Sequence, residues 1–322
     1  MSFLVSALVL VSLVMFASTA PVHAEWPASP ISVIVAYPPG GATDFQARIV
    51  TMLASDEKYL GQPIVIINKP GAGGQVGWNW CVEKGTKDGY TMLSYNVPHF
   101  IAQSIVYDTK YDTDTFEAVA NWGADPAVLI VPKDSPFNSV KDLVDYAKQN
   151  PGKITINGAG MFVGHHIASL QLSKAAGIKL TYIPEKGGVP AMQSVVAGKV
   201  KAGFNNLSDA FRNTDRIKII GVADLQRHDF LPDVKTFKEQ GLDIDDSSVN
   251  FRGVAYVKGV PQDIIKKCAD VFPKMFNDKK ILGKMKDSGS PVRVMNKDQV
   301  AKMFKNTEKA LKPILVELRQ KK

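Results

Sequence analysis

The sequence predicts an α/β protein built on two largely parallel sheets. After residue 30, short runs rich in β-branched residues alternate with stretches of helical length, and the alternation occurs in two successive sets. Glycine-rich junctions join several strands to the helices that follow them. With 322 residues, 45% of them hydrophobic and 22% charged, the chain can bury about two cores. This composition excludes a collagen, a disulfide-stapled mini-protein and a wholly disordered chain.

Residues 1–24 have the features of a secretory signal peptide. The segment holds no charged side chain and ends in Val22-His23-Ala24, which places small residues where a signal peptidase reads the chain. Its apolar run ends near Ala17 and is shorter than the roughly 20 residues of a membrane-spanning helix. The segment lacks the usual Lys or Arg at its start, so an uncleaved anchor is the alternative. We expect cleavage and a soluble, exported chain from Glu25 onward.

The first set of elements contains three strands and two helices. Runs dominated by Ile, Val and Tyr predict strands at 31–37, 64–68 and 90–95. The stretches between them predict helices near 43–55 and 74–85. This strand–helix–strand order is typical of neighbouring parallel strands.

The second set repeats this order and has clearer helix ends. Ser139 is a predicted N-cap, Asn150-Pro151-Gly152 stops that helix, and Gly177 and Gly198 close the next two. Strands are predicted at 127–131, 154–156, 179–183 and 200–204. Helices are predicted near 139–149, 164–176 and 188–197.

The last part of the chain is predicted to be mostly helical. Strands at 216–223 and 251–257 precede helices from Pro261 to about Phe276 and from Lys297 to Arg319. The final 22 residues carry seven basic and two acidic side chains, which is +5 of the net charge of +8. Apolar residues recur there at helical spacing, without aromatic interleaving or a nucleic-acid motif. We interpret this end as an amphipathic helix with a solvated cationic face and expect no nucleic-acid partner.

The two cysteines, Cys81 and Cys268, would lie in an oxidising compartment, where they could pair. Each has apolar neighbours and is interpreted as a small buried hydrophobe. The sequence favours two free thiols but leaves the disulfide open.

Three junctions between strands and helices are unusually rich in glycine: 37–44, 69–75 and 157–164. Glycine lets the backbone approach a ligand closely, and the helix that follows adds free N–H groups and a partial positive charge. In open α/β sheets ligands bind at this edge. Three such loops in one chain indicate a site for a carboxylate or a phosphate, although each loop alone could be only a tight turn.

These loops match no common motif for nucleotide binding or catalysis. Their spacing breaks the dinucleotide fingerprint, and no GxxxxGK[ST], GxSxG, HExxH or metal-spaced Cys/His cluster occurs. We therefore expect no cofactor and no metal. The adjacent His165 and His166 could act as a general base or as carboxylate donors. The alternative is that one of them caps or packs and the other is exposed.

Five stretches resemble one known family. They are YPPGGATD, LGQPIVIINKPGAGGQVG, KDGYTMLSYN, NPGKITINGAG and KLTYIPEKGGVPAMQSVVAGKVKAGFNN. Their order and spacing resemble the periplasmic solute receptors of tripartite tricarboxylate transporters, also called Bug-type receptors. The resemblance covers nearly the whole mature chain, and the combination of the first two loops is its most specific part.

This resemblance implies a type II-like, two-lobed periplasmic binding protein with a mostly parallel, helix-flanked sheet in each lobe and two chain crossovers. Lobe one would comprise residues 25–123 plus 252–322, and lobe two residues 124–251. The resemblance also implies a periplasmic location, a small carboxylate ligand, and delivery to a transporter with one large and one small integral membrane subunit. We expect a monomer that is not an enzyme.

In the family, main-chain groups of the first two loops hold the proximal carboxylate of the solute. The matching positions, with a tyrosine as pocket wall, are Tyr37, Gly40, Gly41, Ala42, Thr43, Ala72 and Gly73. Asp44 resembles an aspartate that could meet a ligand amino group, or it is a simple first-turn acid. The expected contacts beyond the first two loops are Asn96 from lobe one and, from lobe two, Ala159, Gly160, Met161, Gly164, His165, Lys186, Gly187, Asn205 and Asn206.

Three departures from the family bear on ligand choice. Met161-Phe162-Val163 stands in place of a serine-rich turn, Glu185 in place of a tyrosine, and Asn205 where many members have Asp. They favour a ligand with one carboxylate at the first two loops and an apolar, aromatic or second acidic end against lobe two.

Two other functions stay open at this point. An exported α/β enzyme acting on an anionic substrate would use His165 or His166 with Asp44, and would turn its substrate over. A solute-binding partner of a sensor kinase would have the same sequence features as a transport receptor.

Overall fold

The structure is a computed structural model that describes residues 25–320, so the predicted signal peptide lies outside the described residues. Within this range the backbone forms two five-stranded sheets flanked by helices. The strands are β1 (Ile31–Val35), β2 (Ile64–Asn68), β3 (Thr91–Val97), β4 (Phe116–Asp125), β5 (Ala127–Pro132), β6 (Thr155–Gly158), β7 (Thr181–Pro184), β8 (Ala202–Asn206), β9 (Ile217–Ala223) and β10 (Asn250–Val257). The α-helices are α1 (Ala42–Val50), α2 (Gln75–Lys84), α3 (His99–Val106), α4 (Val140–Gln149), α5 (Gly164–Ala176), α6 (Gly188–Val196), α7 (Leu207–Phe211), α8 (Gln262–Phe276), α9 (Lys279–Asp287) and α10 (Lys297–Gln320). Short 3₁₀ turns lie at Ala72–Gly74 and Lys238–Gln240.

The two sheets have the same topology. Their orders are β2-β1-β3-β10-β4 and β7-β6-β8-β5-β9. In each sheet four strands run one way, and the fifth, β10 or β5, is antiparallel to both neighbours. These two strands are the ones that the chain enters directly after passing between sheets. The parallel strands end at the cleft between the sheets, so a strand that starts at the cleft must run the opposite way.

We call the first sheet with α1–α3 and α8–α10 lobe one, and the second sheet with α4–α7 lobe two. The chain enters lobe two through Pro126, directly after β4, and returns between β9 and β10. The residue limits of 25–123, 252–322 and 124–251 stay predictions, because sheet membership alone does not fix where a lobe ends.

The core confirms the interpretation of the basic C-terminal segment as an amphipathic helix. Val300, Phe304 and Leu311 on α10 are buried against lobe one. The ring of Phe304 packs edge-on against Tyr95 and Phe100, with centroids 5.0 Å apart in both pairs. None of the helices in the described part of the chain is long and apolar enough to cross a membrane.

Both cysteines are buried free thiols in lobe one. Burial raises the pKa of Cys81 and of Cys268 to about 12. Both therefore behave as the small hydrophobes that their neighbours in the sequence suggest.

The predicted elements agree with the structure where the local pattern is strong. Helix α5 begins and ends at the predicted residues, whereas α1 ends at Val50 rather than near residue 55. The sequence patterns did not predict β4, α3, α7 or α9. Eight of the ten residues of β4 and seven of the eight residues of α3 are buried, so neither element shows a polar face from which a period can be read.

Candidate ligand-binding site

Two adjoining cavities lie in the cleft between the lobes. We call the larger the outer cavity; its volume is about 660 Å³. The smaller, which we call the inner chamber, measures about 20 Å³, enough for about one water molecule. Tyr37, Pro38 and Ala159 line both cavities, so one ligand can extend from the chamber into the outer cavity.

The outer cavity has a largely apolar wall. It is lined by Ala36, Tyr37, Pro38, Pro70, Gly71, Ala72, Gly73, Gly74, Gln75, Tyr107, Ala159, Gly160, Met161, Pro184, Glu185, Lys186, Gly187 and Pro190. The Glu185 carboxylate accepts a hydrogen bond from Ser194 Oγ at 2.6 Å. Lys186 is exposed and has no acceptor among residues 25–320, which leaves one free cation at the rim.

The inner chamber is more polar and contains no carboxylate. It is lined by Tyr37, Pro38, Gly41, Ala42, Thr43, His99, Ala159, His165, Gly188, Val189, Asn206 and Asn250. In the described residues no three His, Cys, Asp or Glu side chains come together as a metal site. The chamber therefore offers neutral polar groups and backbone to a ligand.

Most residues of the predicted site line these two cavities. The outer cavity includes Tyr37, Ala72, Gly73, Ala159, Gly160, Met161, Lys186 and Gly187. The inner chamber includes Tyr37, Gly41, Ala42, Thr43, Ala159, His165 and Asn206. Five predicted residues line neither of these two cavities in the part of the chain that the structure describes. They are Gly40, Asp44, Asn96, Gly164 and Asn205.

Four helices begin at the cleft: α1, α2, α5 and α6. Ala42, Gln75, His165 and Gly188, which are the first or second residues of these helices, line a cavity. The N–H groups of a first helical turn have no acceptor within the helix, and the helix dipole adds partial positive charge there. This arrangement favours an anion in the cleft.

Asp44 holds the first glycine loop in place. Its carboxylate accepts hydrogen bonds from Gly40 N and Asn68 Nδ2, both at 2.9 Å, and from Arg48 Nη2 at 2.8 Å. Burial by itself raises the pKa of Asp44, but the hydrogen bonds, led by the one from Arg48, outweigh it and lower the pKa. Asp44 is therefore an ionised side chain whose acceptors are already occupied by the protein.

The second glycine loop turns sharply, and all four residues from Gly71 to Gly74 have positive φ. The carbonyl of Gly73 accepts hydrogen bonds from Tyr37 Oη at 2.8 Å and from Gln103 Nε2 at 3.1 Å. A Cβ atom on Gly73 would lie 2.6 Å from Gln103 Nε2. Glycine is required here by both the backbone conformation and the available space.

His165 and His166 support the loop that precedes α5. Nδ1 of His165 accepts from the N–H of Ala159 at 3.1 Å, and Nδ1 of His166 accepts from the N–H of Phe162 at 3.2 Å. Burial lowers the pKa of each histidine to about 4, so both are neutral at pH 7. The alternative that one of the two is exposed is wrong, because each supplies an acceptor to a buried loop N–H group.

The sequence analysis missed a buried arginine behind the inner chamber. Arg252 on β10 is fully buried and donates to Asp125 Oδ2 at 2.6 Å and to Asn206 Oδ1 at 2.7 Å. It also donates to Thr43 Oγ1 and to Gln46 Oε1, both at 3.2 Å. The rule that ligands lie at the carboxyl ends of parallel strands does not find it, because β10 is antiparallel and begins at the cleft.

His99 and Asn250 are further chamber residues that sequence reasoning missed. His99 is 2% exposed, and its Nδ1 has no hydrogen-bond partner among the described residues. Burial, with smaller effects from nearby His165 and Arg252, lowers its pKa well below the usual value, so the ring is neutral. The available signal was the position of His99 just after β3, at the edge where ligands bind.

The lobes touch each other across the cleft. Gln103 Nε2 on α3 donates to the carbonyl of Met161 in lobe two at 3.2 Å. The rings of Tyr107 and Phe162 pack edge-on at 5.4 Å, which places Phe162 against lobe one and leaves Met161 on the cavity wall. A Cβ atom on Gly160 would lie only 3.0 Å from Gly73 Cα, so the two glycine loops meet backbone to backbone.

Comparison with known proteins agrees with this geometry. Residues 47–319 match the family TctC, described as tripartite tricarboxylate transporter family receptor. The UPF0065 protein in the tcbD-tcbE intergenic region of Pseudomonas sp. strain P51 is 30% identical over 304 residues, 91% of this chain and 88% of that protein. Protein BugT of Bordetella pertussis is 30% identical over 228 residues, 69% of each chain. The periplasmic binding protein BugD is 27% identical with a TM-score of 0.82, over 92% of this chain and 98% of that chain. The chain therefore belongs to the tripartite tricarboxylate transporter receptor family and has the two-lobed fold of its periplasmic binding proteins.

Proposed function

We propose that this protein is a periplasmic receptor that binds a small carboxylate between its lobes and delivers it to the large and small membrane subunits of a tripartite transporter. The observation that carries the proposal is the meeting of four helix N-termini at a cleft whose inner chamber holds no carboxylate of its own. Such a chamber attracts an anion without a competing charge. We further propose that the receptor works as a monomer.

The two cavities divide the ligand into two parts. One oxygen of the ligand carboxylate occupies the space for a single water molecule in the inner chamber, where Thr43 and the first turn of α1 provide donors. The rest of the ligand extends into the outer cavity, whose 660 Å³ is ample for a small metabolite. The largely apolar wall suits an apolar or aromatic body, and Lys186 at the rim suits a second acidic end. Asp44 is saturated by Gly40, Arg48 and Asn68, so an amino group on the ligand gains nothing there.

We also propose that the receptor catalyses no reaction. An enzyme built on these residues would use His165 or His166 as a general base. The Nδ1 atom of each already accepts a backbone hydrogen bond, and the Nε2 of His165 points to Asn206 Oδ1 at 3.3 Å. The Asp44 carboxylate is likewise committed to Arg48.

The first test is thermal unfolding of protein that begins at Glu25 and has been stripped of co-purified ligand by denaturation and refolding. It is run against mono-, di- and tricarboxylates, aromatic acids and amino acids. A ligand at 100 times its dissociation constant stabilises the folded state by roughly 2.7 kcal/mol, which is a clear shift in the unfolding midpoint. We expect a shift with carboxylates that have an apolar body.

Three outcomes would contradict parts of this proposal. Binding of free amino acids alone would make Asp44 an amine partner, and the assignment of the ligand would be wrong. Turnover of a bound acid, measured by chromatography of the reaction mixture, would favour an enzyme. Uptake of the ligand that persists in cells lacking the membrane subunits would favour a sensor kinase as the partner.

A further inference from the structure

We propose that Arg252 is a positioning residue that fixes the direction of the hydrogen bonds leading to Thr43 behind the inner chamber, so that the Thr43 hydroxyl must donate its hydrogen to the ligand. The inference rests on the proposed carboxylate receptor and deepens it. The number of hydrogen bonds that each side chain of the buried network can donate or accept leads to this inference.

The orientation of the Asn206 amide is determined from both of its ends. The guanidinium of Arg252 has only donors, so the atom of Asn206 that it meets at 2.7 Å must be the oxygen. The amide nitrogen of Asn206 meets Asp209 Oδ2 at 3.2 Å, and Asp209 is engaged by Arg212 Nη2 as an acceptor. A flip of Asn206 would place donor against donor at one end and acceptor against acceptor at the other.

The orientation of the Asn206 amide fixes the orientation of two further amides. One end of the Asn250 amide lies 3.4 Å from Asn206 Oδ1, so this end must be the donor Nδ2. The other end, which faces Asn96, is therefore the acceptor Oδ1. Asn96 must in turn present its nitrogen to Asn250 Oδ1, at 3.1 Å. The same Nδ2 atom of Asn96 carries a second hydrogen, which it donates to Thr43 Oγ1 at 2.9 Å.

Thr43 Oγ1 therefore accepts two hydrogen bonds, one from Asn96 and one from Arg252 Nε at 3.2 Å. A hydroxyl oxygen has two lone pairs, and both are now used. Its hydrogen remains, and among residues 25–320 the structure gives that hydrogen no acceptor. Thr43 lines the inner chamber, so the hydroxyl is a donor to whatever enters it.

The consequence is a chamber that selects for acceptors. A carboxylate oxygen can receive the Thr43 hydrogen, whereas an ammonium group brings a donor against a donor. Arg252 does not act as the charge that holds the ligand, because its guanidinium is paired with the buried carboxylate of Asp125 at 2.6 Å. Its influence reaches the ligand through Thr43.

The experiment is a double-mutant cycle on the dissociation constant of the carboxylate that binds best to the wild-type receptor. The variants are Thr43→Val, Arg252→Lys and the double variant, with Thr43→Ser to restore the hydroxyl. Thr51→Val is the matched control, because Thr51 is an equally buried threonine directly after the same helix, and its hydroxyl bonds only the carbonyl of Ala47. Unfolding curves verify that each variant is folded.

We expect Thr43→Val to weaken binding roughly ten- to hundredfold, the usual effect of losing a hydrogen bond to a charged group. Thr43→Ser and Thr51→Val should stay within about twofold of the wild type. Arg252→Lys should weaken binding in the wild-type background and add less than about twofold in the Thr43→Val background, because it acts through Thr43. Additive losses would show that Arg252 affects the ligand by a route other than Thr43, and an unchanged dissociation constant in Arg252→Lys would show that Arg252 serves stability only; either result would overturn the inference.

A second measurement covers the case in which Arg252→Lys does not fold. In the ligand-bound wild-type receptor, the Thr43 hydroxyl proton should be protected from exchange and show an NMR cross-peak to ligand protons. Its absence, or unchanged affinity in Thr43→Val, would refute the donor role. If the wild-type receptor binds no carboxylate at all, the proposed function fails instead.

Discussion

At the scale of single residues, only uncharged side chains line the inner chamber in the described part of the chain, and the free cation Lys186 stands at the rim of the outer cavity. His99, His165 and His166 are all buried, and burial lowers the pKa of each. The nearest buried cation, Arg252, is neutralised by Asp125. We therefore expect oriented N–H and O–H donors to attract an anion to the chamber, and these donors need no change of protonation when a ligand binds.

The neutral histidines make the stability of the fold depend on pH. The folded pKa of His166 is about 4 against 6.5 for a free side chain, so the unfolded chain takes up its proton first on acidification. Its contribution is complete above pH 6.5 and is lost as the pH falls from 6.5 towards 4. In His166→Asn, whose Oδ1 can still accept from Phe162, the pH slope of the unfolding free energy in this window should fall by about 1 kcal/mol per pH unit.

Urea unfolding of both proteins between pH 4 and pH 8 measures this slope. The comparison uses the slope rather than the stability itself, because loss of the ring also removes its packing against Tyr182 at 4.4 Å. An unchanged slope would mean that His166 is not the titrating group.

Asp44 also makes the stability of the fold depend on pH, in a more acidic range than the histidines. Its folded pKa lies below 3.8, so its stabilising effect is present above that value and is lost as the pH falls through the folded pKa. Asp44→Asn should cost about 1–3 kcal/mol at pH 7, because charged hydrogen bonds to Gly40 and Arg48 are lost. The difference between variant and wild type should shrink below pH 4 in urea titrations. Asp145, which is half-buried and pairs with Lys141 on the surface, serves as control, and Asp145→Asn should change little.

At the scale of elements, the glycine loops allow the two lobes to meet. Gly73 and Gly160 belong to different lobes, and their backbones approach closely enough that a Cβ on Gly160 would lie 3.0 Å from Gly73 Cα. The α2 and α5 N-termini follow these loops. Close approach of the loops therefore brings two helix N-termini towards the same part of the cleft.

Gly160→Ala should weaken ligand binding about tenfold by keeping the loops apart. The matched control is Gly198→Ala, because Gly198 also has positive φ but no atom within 4 Å of its added Cβ. Both variants should lose roughly 1–3 kcal/mol of stability, because alanine is strained at positive φ, and only Gly160→Ala should lose affinity in calorimetry. Equal affinities would show that the loops separate without consequence for the ligand.

At the scale of the whole molecule, the crossing strands explain both the topology and the placement of the missed residues. Strands β5 and β10 begin at the cleft because the chain has just crossed between lobes. The first residues of β10 therefore supply Asn250 to the wall of the inner chamber and Arg252 to the hydrogen-bond network behind it. The two crossovers also provide the connections about which lobes of this kind close on a ligand.

Ligand should shift the population of the receptor towards the closed arrangement, because residues of both lobes line the cavities in which we propose that it binds. X-ray scattering should show a smaller radius of gyration with a bound carboxylate. Gln103→Met removes the hydrogen bond to Met161 across the cleft and should enlarge the ligand-free radius and weaken binding about fivefold.

Gln240→Met is the control for this prediction. Gln240 also donates to two backbone carbonyls, those of Ile220 and Lys235, but both lie in lobe two. It should leave the radius and the affinity unchanged. A ligand-free radius identical in wild type and Gln103→Met would show that this contact does not hold the lobes together.

The sequence by itself determined the local features of the protein. The two sets of strands and helices, the helix ends at Ser139 and Gly177, and the three glycine loops depend on hydrophobic period, capping and backbone conformation, which neighbouring residues set. Of the predicted site residues, Thr43, Ala72, Gly160 and most others lie on cavity walls for the same reason. The two possible roles of Asp44 could not be separated, because both require the same residue at a helix start.

Only the tertiary structure decided which side chains complete the inner chamber. Arg252 is 209 positions from Thr43 and 46 from Asn206, and no local pattern relates these residues. His99 stands on a helix that is buried nearly all round and so has no readable period. The direction of the hydrogen bonds, and with it the donor role proposed for Thr43, is a property of the whole network. It exists only once residues that are distant in sequence, from both lobes, have packed around one buried guanidinium.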